Sequence, residues 1–288
     1  MPGRRRQRPG RPPRGRSLTP DTPVTVTPGH LAGPGDADAA FTTFLDDCPS
    51  WKLYRPNDET AVAVHESLTA AIELDHETKR GPRWTIASYE SPVAPLDWQA
   101  RFCTQTPVEI VMAVAYRLTT GLGAFSTNVR DDILWGSHPR HEAIRYSLEA
   151  ADQPWQEPQP NGYGFDRADR TGGIRTKVFG AEPPALVAAV TVWGGPRGYD
   201  NARWNAEFTP RTPTELIIAA LDEVVEPLPA TRLLGQVPAP NRTQVGVEPL
   251  HPRQAAAAAR SRQVNPVAVP LPPANPGQAV SGQVRRSL

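Results

Sequence analysis

Two stretches decide how this chain folds: Asp97–Ala115, DWQARFCTQTPVEIVMAVA, and Arg203–Leu221, RWNAEFTPRTPTELIIAAL. Laid on one another, Trp98 falls on Trp204, Ala100 on Ala206, Phe102 on Phe208, Thr106 on Thr212, Pro107 on Pro213 and Glu109 on Glu215, all at a single offset of 106 positions. In each copy the aromatic and small residues alternate with polar ones, Trp98, Ala100 and Phe102 against Gln99 and Arg101, so the first half reads as a strand with one buried face. The following TPVE or TPTE reads as a helix start, with threonine as cap, proline in the first turn and glutamate three residues after the cap, a box worth on the order of 1 kcal/mol. Beyond it Ile110, Val111, Val114, Ala115 and Leu118, and in the second copy Leu216, Ile217, Ala220, Leu221 and Val224, form an apolar stripe at helical spacing. A strand, a tight turn and an amphipathic helix are therefore encoded twice.

Working outward, WTIASYE from Trp84 and VTVWGG from Val190 keep the same offset and read as the preceding hairpin strand. Earlier, KLYRPNDETAVAV and YGFDRADRTGGIRTKVF each show two short strand-like runs around a polar turn. ADAAFTTFLDDC and HPRHEAIRYSLEAADQPW read as modest helices. The expected fold is α+β: two tandem repeats, each an antiparallel sheet of about four strands with a helix before it and a packed amphipathic helix after it. The predicted boundaries are a disordered Arg/Pro-rich tail over 1–27, repeat 1 over 28–122, repeat 2 over 130–229 and a disordered Pro/Ala-rich tail over 230–288.

These residues carry a family likeness. A helix leading to a tryptophan, a turn between two strands, then W-x-A-x-F-x-x-x-T-P-x-E with an apolar helix resembles the SPDY domain, a domain of unknown function seen mostly in Streptomyces and often in tandem. The likeness covers about residues 28–229. The family's eponymous turn is matched to Arg55, Pro56, Asn57 and Asp58 in one copy and to Arg167, Ala168, Asp169 and Arg170 in the other. The resemblance implies the fold and a host and brings no activity with it.

Charge is segregated along the chain. Met1–Ser17 holds Arg4, Arg5, Arg6, Arg8, Arg11, Arg14 and Arg16 and no acid, while Gln236–Leu288 holds six arginines and one acid, Glu248. Between them lie 18 of the 31 basic and 29 of the 30 acidic residues, a formal charge of −11 against a total of +1. An acidic body repels phosphate at long range, so contact with DNA or another polyanion falls to the ends, and a protein partner is the expectation for the body. Pro13-Arg14-Gly15-Arg16 resembles the core of an AT-hook, with Ser17 where the closing proline would stand. The seven N-terminal arginines are the candidate nucleic-acid-binding residues.

Other candidates have local explanations. His138 and His141 lack the further ligands of a zinc site and fit a helix start with Pro139. Glu109 and Glu215 are read as capping carboxylates rather than a general acid and base. Asp46 with Asp47 and Asp131 with Asp132 read as solvated pairs, and Trp98 and Trp204 as core. No phosphate-cradling glycine loop or nucleophile elbow is present, so no catalytic residue, metal or cofactor is assigned. Cys48 and Cys103 both lie in the first repeat, which suits reduced thiols in a cytoplasmic protein. No apolar run reaches the ~18 residues of a membrane span. The functional expectation is a noncatalytic binding module; the alternative is an enzyme with an unrecognised site between the repeats.

Overall fold

The structure is a computed structural model and describes residues 18–79, 81–123, 141–149, 154–157, 164–177 and 187–250. The repeated strand phrases become β6 (Leu96–Cys103) and β11 (Trp204–Phe208), and the repeated helix phrases become α2 (Val108–Leu122) and α4 (Thr214–Val225). Before β6 run α1 (Ala37–Asp47), β2 (Trp51–Tyr54), β3 (Thr60–His65), β4 (Ala70–Asp75) and β5 (Pro82–Tyr89). Before β11 run α3 (His141–Glu149), β7 (Trp155–Gln156), β8 (Gly164–Arg167), β9 (Gly172–Thr176) and β10 (Val190–Gly194). Each repeat thus has five strands where the sequence reading expected about four, because the first strand of each is short and lies at an edge.

The two repeats do not form separate sheets. A single antiparallel sheet of ten strands runs β2-β3-β4-β5-β6-β11-β10-β9-β8-β7, an order that reads the same from both ends once the copies are matched. β6 and β11 meet in the middle with Phe102 opposite Ala206, Arg101 opposite Glu207 and Ala100 opposite Phe208. Since 101 and 207 are the same position in the two copies, a pseudo-twofold axis passes between them.

One face of this sheet is the core. Trp84, Ile86, Trp98, Ala100, Phe102, Val190, Val192, Trp204, Ala206 and Phe208 are all buried, and both predicted helical stripes pack over them. Phe41 of α1 meets Trp84 edge-on at 5.2 Å, and Phe102 meets Phe208 across the seam at 6.1 Å. Burying an aromatic or large aliphatic side chain is worth roughly 1.5–3 kcal/mol, so this shared layer dominates stability. On the opposite face Thr85, Gln99, Arg101, Asn205 and Glu207 are only half-buried.

The tail boundaries need correction. Residues 23–27 form β1 (Pro23–Thr27), and the segment assigned to the C-terminal tail contributes β12 (Ala230–Leu233) and β13 (Gly246–Pro249). Together they make a three-stranded antiparallel sheet, β12-β1-β13, with Val24, Val26, Ala230 and Val237 in a small core of its own. The pairing explains the discrepancy: β1, PVTVT, alternates only over five residues, and its partners lie more than two hundred positions away. Residues 1–17 and 251–288, the rest of the predicted tails, lie outside the described residues.

Candidate functional site

The seam between the repeats gathers the most side-chain chemistry. Arg101 donates from Nη2 to Glu207 Oε2 at 2.9 Å, on the pseudo-twofold axis itself. On either side the threonines reach across: Thr106 Oγ1 donates to the Asn205 carbonyl at 2.9 Å and Thr212 Oγ1 to the Gln99 carbonyl at 3.3 Å. Symmetry extends to the backbone donors, with Gln99 N–H donating to Thr209 Oγ1 at 2.9 Å and Asn205 N–H to Cys103 Sγ at 3.4 Å. The two repeats therefore share polar contacts that neither could satisfy alone.

These bonds correct the capping-box reading. The helices start after Pro107 and Pro213, with no side-chain capping bond at either N-terminus. The threonine hydroxyls donate to carbonyls of the facing repeat at the ends of the short β6–β11 ladder, where the Gln99 carbonyl also accepts from the Thr209 N–H at 3.1 Å. The glutamates are likewise engaged elsewhere. Glu215 pairs with Arg117 of α2. Glu109 accepts two bonds from the buried Arg232 of β12, 2.8 Å from Nη1 and 2.7 Å from Nη2.

The two pairs have a common origin in the symmetry. Under the 106-residue offset Arg117 corresponds to Glu223 and Glu215 to Glu109, so the mate of the Arg117–Glu215 contact is a meeting of Glu109 with Glu223. Burial first, and then the Glu109 carboxylate, pushes the Glu223 carboxyl above its usual range. Arg232 supplies the cation that this side of the axis lacks, and also donates from Nη2 to the Gly33 carbonyl at 2.9 Å.

A second junction ties the N-terminal segment to repeat 2. Trp204 Nε1 donates to the His30 carbonyl at 2.8 Å, and His30 Nε2 lies 3.1 Å from Thr171 Oγ1. That hydroxyl already donates to Asp169 Oδ1 at 2.7 Å, so its oxygen accepts from His30 and the imidazole is neutral with its proton on Nε2. Burial, reinforced by the Arg167 guanidinium, lowers the His30 pKa to about 3. Against the push of burial, hydrogen bonds from Arg167 and Thr171 hold the Asp169 carboxyl below its usual range.

Asp169 belongs to a turn the sequence reading aligned wrongly. The partner of Arg167–Arg170 is His65–Leu68, not Arg55–Asp58. Leu68 and Arg170 both adopt a left-handed conformation, with φ of 60° and 58°. Both donate their N–H to the residue three before, His65 and Arg167, at 2.8 Å. In each copy a side-chain relay runs along the turn, His65–Ser67–Thr69 in one and Arg167–Asp169–Thr171 in the other. RPND has the polar composition of a turn, whereas the left-handed bend equivalent to Arg167–Arg170 resides in HESL.

On the half-open sheet face, repeat 2 carries a cluster that sequence reasoning missed. The Arg175 guanidinium lies 5.7 Å from the buried Trp193 ring and 4.8 Å from that of Tyr199, and pairs with Asp166 at 2.5 Å. Gly173, opposite Trp193 in the ladder, is required here: a Cβ would stand 2.8 Å from Trp193 Nε1. The signal available in sequence was the TGGIR glycine pair facing VTVWG, legible only once the register is known.

Arg4, Arg5, Arg6, Arg8, Arg11, Arg14 and Arg16 lie outside the described residues, as do His138, Asp131 and Asp132. His141 begins α3, and Trp98 and Trp204 are buried. Asp47 accepts from the Tyr116 hydroxyl at 2.7 Å. Both cysteines are free. Among the described residues no helix is long and apolar enough to cross a membrane.

The family model SPDY, a domain of unknown function (DUF317), matches residues 67–123 and 169–230 as two separate segments. Their starts, Ser67 and Asp169, are the equivalent turn residues of the two relays. No curated protein and no solved structure matches the chain.

Proposed function

We propose, from the premise that this chain carries two SPDY domains at residues 67–123 and 169–230, that it is a noncatalytic binding module whose N-terminal arginines contact nucleic acid while the acidic body meets a protein partner. The observation that carries this reading is the charge division: Met1–Ser17 holds seven arginines and no acid, ahead of a strongly acidic body. Such a body does not attract phosphate, so the arginines are the only concentrated source of attraction on that side of the chain.

The geometry of the seam supports binding over catalysis. Among the described residues the seam between the repeats is occupied by the Phe102–Phe208 contact, the Arg101–Glu207 pair and the two threonine bridges. That joint makes the repeats one continuous sheet with a half-open face, a suitable surface for a protein partner. The test is a salt-series titration of duplex DNA against the intact protein and a full-length variant with all seven N-terminal arginines changed to glutamine. If about five of them meet phosphates, log K should fall with log salt at a slope near −4.5, and the variant should lose most of that slope. Equal affinity of the two proteins would end the nucleic-acid reading.

A further inference from the structure

One hairpin end has changed sign between the repeats. The 106-residue offset holds through the β5–β6 and β10–β11 connections, so Arg197 stands where repeat 1 has Ser91 and Arg203 where it has Asp97. In the adjoining left-handed turn Arg170 takes the place of Leu68. Repeat 2 thus carries three arginines where repeat 1 has a leucine, a serine and an aspartate. The repeat 1 acid is already committed, since Asp97 pairs with Arg211 at 3.1 Å.

The ladder brings the three together. Gly195 donates its N–H to the Thr171 carbonyl at 2.9 Å and Arg203 donates its N–H to the Gly194 carbonyl at 2.8 Å, so the turn, the end of β10 and the start of β11 lie side by side. Strand spacing and the Cα–Cα step then place all three arginine Cα atoms within about 10 Å of that of Gly195. A Cβ on Gly195 would stand 2.7 Å from the Arg203 nitrogen, so glycine permits the approach. The connection between the strands is held in place. Asn201 donates its N–H to the Gly198 carbonyl at 3.2 Å and Ala202 to the Tyr199 carbonyl at 3.0 Å. The Tyr199 ring lies 5.8 Å from that of buried Trp193 and 4.8 Å from the Arg175 guanidinium.

Arg170, Arg197 and Arg203 are all exposed, and among the described residues none makes a side-chain hydrogen bond or an ion pair. The carboxylates of the same end do not neutralise them. Asp169 is bound to Arg167 and Thr171, and Asp200 forms no ion pair. On the half-open face the other guanidinium groups are paired, Arg101 with Glu207 and Arg175 with Asp166. Extending the alternation of β11 back from Asn205 puts Arg203 at the rim of that face. Unpaired arginines grouped there beside Tyr199, itself 38% exposed, have the composition of a protein interface.

We propose that Arg170, Arg197 and Arg203, with Tyr199, dock a short acidic segment of a partner protein, the guanidinium groups pairing with its Asp and Glu carboxylates. The inference rests on the protein-partner reading above and gives that partner its chemistry. Charge distribution favours such a segment over a duplex. A duplex carries a charge about every 1.7 Å, so its phosphates would run past the cluster and over a body of like charge. A segment with few carboxylates ends within the patch, and screening at physiological salt confines attraction and repulsion to about 8 Å, so the groups in contact decide. Repeat 1 lacks the cluster and should bind no such segment.

The test uses the full chain with the seven N-terminal arginines changed to glutamine, so that they do not compete for the probe, and the same protein carrying Arg170→Gln, Arg197→Gln and Arg203→Gln as well. Thermal melting checks that the body is intact in both. Oligo-glutamate is titrated at low salt and followed by backbone amide NMR. The signals of Thr171, Gly195 and Gly198 should move and saturate, while those of Thr69, Tyr89 and Ser91 in repeat 1 stay in place. The triple variant should bind roughly tenfold more weakly. Unmoved repeat 2 signals, or equal affinity in the triple variant, overturn the inference. In that event, oligo-lysine that moves the signals of Thr85, Gln99 and Glu207 would leave the protein-partner reading standing on the sheet face, and its failure to do so would count against that reading too. Duplex DNA that moves the same repeat 2 signals with higher affinity than oligo-glutamate assigns the cluster to nucleic acid and also overturns the inference.

Discussion

Reversing the charge at the axis, Glu207→Arg, should weaken the whole fold, and reversing Arg101 to Glu as well should restore it. The Arg101–Glu207 pair spans 2.9 Å with its two side chains 33% and 34% exposed, so solvent screening holds the attraction to about 1 kcal/mol or less. Placing two arginines there replaces that attraction with a repulsion of similar size, for a loss of about 2 kcal/mol. In a body of this length about 2 kcal/mol corresponds to a fall in Tm of roughly 4–8 °C. Arg101→Glu should cost about the same, and the double reversal should lie within about 0.5 kcal/mol of the starting protein, a coupling of roughly 4 kcal/mol in the double-mutant cycle. Urea unfolding of the four proteins at low salt supplies the cycle, and the coupling should shrink at high salt. Additive losses in the double reversal would mean that the central pair contributes nothing, and the heterotypic axis would lose its energetic content.

Two other predictions probe the N-terminal junction and the repeated turn. His30 is held neutral with a pKa of about 3, below its unfolded value near 6.5. Its stabilising contribution is therefore complete above pH 6.5 and is lost as pH falls through the window toward 3, at on the order of 1.4 kcal/mol per pH unit. Urea midpoints from pH 7 to 5 should fall more steeply for the unaltered protein than for His30→Gln, and parallel curves would refute the assignment. Leu68 is exposed and left-handed, so Leu68→Gly should relieve strain and raise stability by about 0.5–1 kcal/mol, with Arg170→Gly doing the same in repeat 2; a lower Tm for either would argue against the shared turn.

How much was legible follows the range of the interactions. The duplicated strand and helix were readable because alternation and helical spacing are local, and Trp98, Phe102, Trp204 and Phe208 lie where that pattern puts them, buried. The threonine–glutamate phrase was read locally too, and there the local reading failed. Thr106 and Thr212 serve carbonyls 99 and 113 positions away, and Glu109 answers an arginine 123 positions away. A capping box and a cross-repeat bridge call for the same letters, and only the register separates them. The terminal sheet was missed for the same reason, since β1 gains its hydrogen bonds from strands at the far end of the chain. His65–Leu68 was missed because a left-handed turn held by side-chain relays leaves no shared residue except the threonine that follows.

The axis shows why duplication matters for this chain rather than being a mere repetition of a stable unit. Any residue on a twofold axis meets its own copy, so two identical repeats would have set arginine against arginine or glutamate against glutamate there, a costly contact. Divergence to Arg101 and Glu207 makes each repeat complementary to the other and poorly matched to itself. The flanking helices carry the same logic unevenly: one side of the axis has Arg117 facing Glu215, while the other would have left Glu109 and Glu223 confronting each other. Arg232, from the small sheet, resolves that second contact. The terminal sheet is thus the part that completes an otherwise unbalanced pair. A change at Arg232 would consequently be felt twice, in the balance of charge at the seam through Glu109 and in the seating of the N-terminal segment through the Gly33 carbonyl.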